Sequence, residues 1–135
     1  MSRFVLALAL LMGATPIAAQ QTAPLPKLSL EQQTALRCSA AFAYVAAGQA
    51  RSDPAMAGYP PVGARGKEFF VRSTAGLMDA TGATRPQVQE LFRRSYSDLT
   101  AALAKAPNRA VALGEVMRPC LVLLDAVIPP TPASR

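Results

Sequence analysis

Residues that interrupt helices are gathered at a few points of this sequence, and the runs between them are each roughly five helical turns long. Gln20 to Lys27 (QQTAPLPK) is polar and proline-bearing. Arg51 to Gly63 (RSDPAMAGYPPVG) holds three prolines and two glycines. Gly82 and Pro86 divide the next two runs, Pro107 and Asn108 the last two, and Pro129 to Arg135 (PPTPASR) closes the chain. Proline cannot donate to a helix interior and glycine weakens it, so these clusters punctuate an otherwise helix-forming chain. The pattern predicts helices over about 30–50, 64–81, 85–106 and 109–128. Strict alternation is absent and β-branched residues are few, so the fold class is all-α.

Each run has an apolar face, and the first, third and fourth have start signals, with Asn108 able to cap the fourth. Ser29 with Gln32 and Thr84 with Gln87 form capping boxes, in which each side chain satisfies the other's free amide. Leu30, Thr34, Cys38, Ala41, Phe42 and Val45 share one side of the first segment, with Gly48 marking its fraying end. Phe70, Thr74, Leu77 and Met78 form the second stripe. Beside it Phe69, Ser73, Gly76 and Ala80 make a small-residue face suited to close approach. Val88, Leu91, Phe92, Ser95, Leu99, Ala102 and Leu103 form the third and cleanest stripe. In the fourth, Leu113, Val116, Met117, Cys120, Leu124 and Val127 align, while Pro119 predicts a kink or a break into two short helices.

The two cysteines test the topology. Cys38 lies about eight residues into the first segment, and Cys120 about eight from the end of the fourth. In an up-down-up-down four-helix bundle these helices are antiparallel neighbours, so the two positions sit at one level, both on core faces. A Cys38–Cys120 disulfide is the expectation in an oxidising compartment.

That compartment is read from the N-terminus. Arg3, the apolar run Phe4 to Met12, and Ile17 and Ala19 at the −3 and −1 positions make a signal peptide over 1–19, too short to span a membrane. The remaining organisation is a flexible leader (20–27), one helical domain (28–128) and a disordered proline-rich tail (129–135). The chain is therefore expected to be periplasmic or secreted and not membrane-spanning. Its net charge of +6 gives a mild attraction to polyanions, and export makes nucleic acid an improbable partner.

Catalytic chemistry finds little footing. Histidine and tryptophan are both absent from the 135 residues, which excludes Ser-His-Asp and Cys-His nucleophile systems, histidine-ligated metals and c-type haem. Glu68 with Arg72, Glu90 with Arg94, and Glu115 with Arg118 stand three or four residues apart and read as surface ion pairs. Asp125, in the apolar stretch LVLLDAVI, is assigned to the solvent face, one heptad from Arg118. Gly66-Lys67 is not a phosphate loop, because Glu68 stands where that motif needs Ser or Thr. The cations Arg65, Lys67 and Arg72 near a helix start make the one candidate site for an anion or partner. No catalytic residue, metal ligand or cofactor is assigned.

The stretches LSLEQQTALRCSAAFAYVAAGQAR, GARGKEFFVRSTAGLMDATGATRPQV and VMRPCLVLLDA together resemble a group of small exported helical proteins common in alphaproteobacteria. The resemblance covers about Leu28 to Ala126. It implies an exported compartment and a cysteine pair, and no mechanism. The reading that follows is a non-enzymatic periplasmic binding or interaction protein, whose partner is an envelope protein or an anionic envelope component. The alternatives are an inhibitor or immunity protein of an envelope enzyme, and a periplasmic stress chaperone.

Overall fold

The computed structural model describes residues 23–130. The signal peptide expected over 1–19 and residues 131–135 of the expected tail lie outside the described residues. Four helices follow one another: α1 (Leu30–Ala50), α2 (Gly63–Thr81), α3 (Arg85–Lys105) and α4 (Arg109–Val127). Among the described residues there is no strand. The architecture is the expected all-α bundle, with a Cys38–Cys120 disulfide whose Cα atoms are 5.2 Å apart.

Three of the four helix starts are set by the predicted caps, and α2 begins after Val62 without a side-chain cap. Ser29 accepts from the Gln32 amide while Gln32 Oε1 accepts from the Ser29 amide, and Thr84 and Gln87 repeat the arrangement. Asn108 accepts from the Val111 amide. α2 ends at Gly82, whose φ of 69° is the left-handed conformation that glycine adopts without a Cβ penalty.

α1 is the central helix and packs against all three others, most extensively α2 and then α3. Its composition explains this. Ser39, Ala40 and Ala41 are buried in one consecutive run, along with Leu36, Cys38, Phe42, Val45 and Gly48. A helix buried around much of its circumference needs small side chains so that neighbours can approach from several sides. Cys38, Ala41, Phe42 and Val45 of the expected stripe are buried, and only its first two members depart from it. Leu30 and Thr34 are exposed, and Leu36 takes their place in a smaller apolar cluster with Leu77, Ala83 and Val88.

Two glycines do the close packing. A Cβ on Gly66 would lie 2.8 Å from Phe42 Cβ, so α1 and α2 meet backbone to side chain here. Gly48 does not fray α1, which continues to Ala50; it is buried, and a Cβ there would collide with Met56 Cγ. Gly76, on the face expected to permit close approach, is exposed with no atom within 4 Å of an added Cβ. The close approach of α1 and α2 is therefore at Gly66, outside the set Phe69, Ser73, Gly76 and Ala80 that was expected to provide it.

Pro119 does not break α4, which runs through it as one element. Pro119 and Glu115 are both exposed. The carbonyl that loses its amide partner therefore sits on the wet side, where water can replace it. The end of α4 lies against the first half of α2, where Arg65, the third residue of α2, reaches the carbonyl of Ile128 just past the end of α4, and the disulfide ties α4 to α1.

The connection from α1 to α2 is less loose than its prolines suggest. Asp53 caps a one-turn 3-10 helix over Pro54–Met56. Gln49 ties the loop back, donating to the Tyr59 and Pro60 carbonyls and accepting from the Val62 amide. The leader expected to be flexible is also held where it is described. Gln87 Nε2 donates to the Pro24 carbonyl at 3.0 Å, and Leu28 packs on the Leu36 cluster. Gln87 can do this because its capping role uses only the amide oxygen.

Candidate functional site

The three cations singled out in the sequence do not form one site. Arg65 turns across to α4, where Nε donates to the Ile128 carbonyl at 3.1 Å. Its Nη2 donates to Asp125 Oδ1 at 2.6 Å and to the same Ile128 carbonyl. Arg72 forms an ion pair with Glu68 at 2.5 Å, and its other Nη approaches the Val127 carbonyl at 3.4 Å. Both guanidiniums therefore serve the free carbonyls and negative dipole end of α4, a structural task for cations at a helix C-terminus. Lys67 has no ion-pair or hydrogen-bond partner among the described residues. Asp125 is on the solvent side as expected, but its partner is Arg65 from another helix and not Arg118.

The remaining ion pairs lie along helix faces. Glu90 accepts from both Arg93 and Arg94, at 2.7 and 2.6 Å. The hydrogen bonds from Arg93 and then Arg94 pull its carboxyl down to about 2. The same contact raises Arg93 above its ordinary value. Glu115 and Arg118 do not pair. Burial raises the phenol of Tyr59, which reaches toward Gly114 from the loop. Among the described residues no group of histidine, cysteine or carboxylate side chains is placed to hold a metal ion.

An open concavity lies elsewhere, between the first half of α1, α3 from Leu91 to Leu103 and the start of α4. It is an open groove of about 700 Å³, within the roughly 300–1,000 Å³ range of ligand-binding clefts. Leu30 and Leu36 from α1, Leu91, Leu99, Ala102 and Leu103 from α3, and Ala112 and Val116 from α4 line it. Arg37 and Arg94 stand on its rim with Asp98 and Glu115. Leu30 is left 79% exposed, and Ala102, a stripe residue in the sequence, faces outward.

The sequence held a weak sign of this groove. Apolar stripes of α1 and α3 extend further than a single partner helix can cover, as Leu30 and Ala102 show. Nothing in the spacing said which ends would stay open. A second, smaller crevice of about 200 Å³ lies between α1 and α2, walled by Phe42, Ala43, Ala46, Phe70 and Phe92 with Lys67 at its edge.

No family model, curated protein or solved structure matches this chain. No helix among the described residues is long and apolar enough to cross a membrane.

Proposed function

We propose that this protein is an exported, non-enzymatic binding protein whose α1–α3–α4 groove receives an amphipathic helix of a partner protein. The observation that supports the reading is the groove itself: a helix-flanked trough lined by leucines. Helix-in-groove recognition needs this combination of an apolar floor and charged edges. The rim favours a polypeptide over a polyanion, because Arg37 and Arg94 are balanced by Asp98 and Glu115. Export is supported by the signal-peptide pattern of residues 1–19 and by a disulfide that fits an oxidising compartment. Membership of the small exported helical group suggested by the sequence belongs to the same proposal.

A photo-crosslinking amino acid at Ala102, in protein expressed in its own host, tests the assignment. The same label at Ala75, on the exposed side of α2 and away from the groove, is the control. A discrete polypeptide adduct is expected at Ala102, lost when Leu30→Glu places a carboxylate in the groove. An adduct of lipid or polysaccharide mass, equal adducts at both positions, or none at Ala102 would overturn the proposal.

A further inference from the structure

We infer that the crevice between α1 and α2 is a second, separate binding site, for a small aromatic carboxylate. Its volume is about 200 Å³. A cavity of roughly 150 Å³ lined by apolar side chains already accepts benzene. The crevice therefore has room for one six-membered ring and a small substituent.

The walls suit a ring. Phe70 and Phe92 stand edge to face with centroids 5.0 Å apart and planes at 64°. An inserted ring extends that pattern, since aromatic faces and edges attract. Ala43 and Ala46 leave the space on the α1 side. Ser39 contributes little charge recognition, because its hydroxyl proton is donated to the Ala35 carbonyl at 2.8 Å.

The edge selects the sign of the substituent. Lys67 lines the crevice and has no anionic partner among the described residues. Its neighbour Glu68 is turned away to Arg72 at 2.5 Å. A carboxylate on the ring would remain at the open mouth, partly hydrated, beside the ammonium. Burial of the ring supplies most of the affinity, and the exposed charge pair supplies selectivity.

The probe is benzoate, with benzamide as its neutral counterpart, followed by amide shifts in the nuclear magnetic resonance spectrum. Benzoate at millimolar concentration should shift the amides of Ala43, Ala46, Lys67 and Phe70. An exposed ion pair makes benzoate bind about two- to fivefold tighter than benzamide. Lys67→Gln, at an exposed position, should bring benzoate down to the benzamide level, and Ala43→Met should abolish both. Absent shifts at these amides, equal affinity for the two probes, or an unchanged benzoate affinity in Lys67→Gln would each overturn the inference. These amides and this lysine are separate from the groove residues, so failure here leaves the partner-helix proposal standing, and the reverse.

Discussion

Gly66→Ala and Gly76→Ala are the same substitution on the same helix, and the structure gives them opposite signs. In an exposed helix interior, replacing glycine by alanine stabilises by about 1 kcal/mol through backbone entropy. Gly76 meets that condition, since nothing lies within 4 Å of the added Cβ. At Gly66 the Cβ would lie 2.8 Å from Phe42 Cβ and 3.3 Å from Phe42 Cγ. Carbon atoms rest at about 3.5–4.0 Å, so α1 and α2 would have to part by nearly 1 Å. Phe42 Cβ is one bond from the backbone and cannot rotate aside. Its ring is also set edge to face against Phe69, with centroids 5.4 Å apart. Overpacking a core costs about 1–3 kcal/mol, and this rigid neighbour puts the site in the upper half. Subtracting the propensity gain leaves Gly66→Ala about 1–2 kcal/mol less stable than the parent. Urea unfolding of the oxidised proteins, followed by far-ultraviolet circular dichroism, measures both. A Gly66→Ala protein as stable as the parent, or a shift of both variants in one direction, would refute the close approach of α1 and α2.

Three further outcomes follow from the interactions described. Arg65→Ala should destabilise by about 1.5–3 kcal/mol, the range for hydrogen bonds to a charged group. Lys67→Ala should be near neutral; chemical denaturation that ranks the two equally would show that Arg65 is not holding the end of α4. Opening the disulfide by replacing Cys38 and Cys120 with alanine should cost about 4.5 kcal/mol in the chain-entropy model for a loop of 82 residues, and a loss under 1 kcal/mol would mean the unfolded chain is already compact. Glu90 gives a pH dependence of definite sign. A carboxyl whose folded pKa is lowered contributes stability that is present above its unfolded value near 4.5 and is lost as pH falls through about 2. Glu90→Gln should flatten the stability curve across that window, and an unchanged acid limb would remove the paired arginines as its cause.

Much of the architecture was legible because it depends on short-range rules. Ser29, Thr84 and Asn108 cap where their spacing places them, and Gly82 ends α2 because it can adopt a positive φ. The fourth stripe, Leu113 to Val127, is buried or half-buried as written. The cysteine pair joined α1 to α4. The candidate site was less legible. Arg65, Lys67 and Arg72 are adjacent in sequence and near a helix start, but proximity along one helix does not reveal the partners offered by another. The carbonyls at the end of α4 claim two of the three.

The sequence by itself determined four helices, three of them with side-chain caps at their starts, their apolar faces and the covalent link between the first and last, since each depends on residues a few positions apart or on chemistry specific to cysteine. Tertiary structure alone decided which alanine-rich helix lies at the centre, which glycine accepts a phenylalanine, and which arginines hold the end of the fourth helix. Those choices depend on how four similar surfaces fit in three dimensions. That fit is settled by the shapes of side chains far apart in the chain, and the open groove and the aromatic crevice are its products.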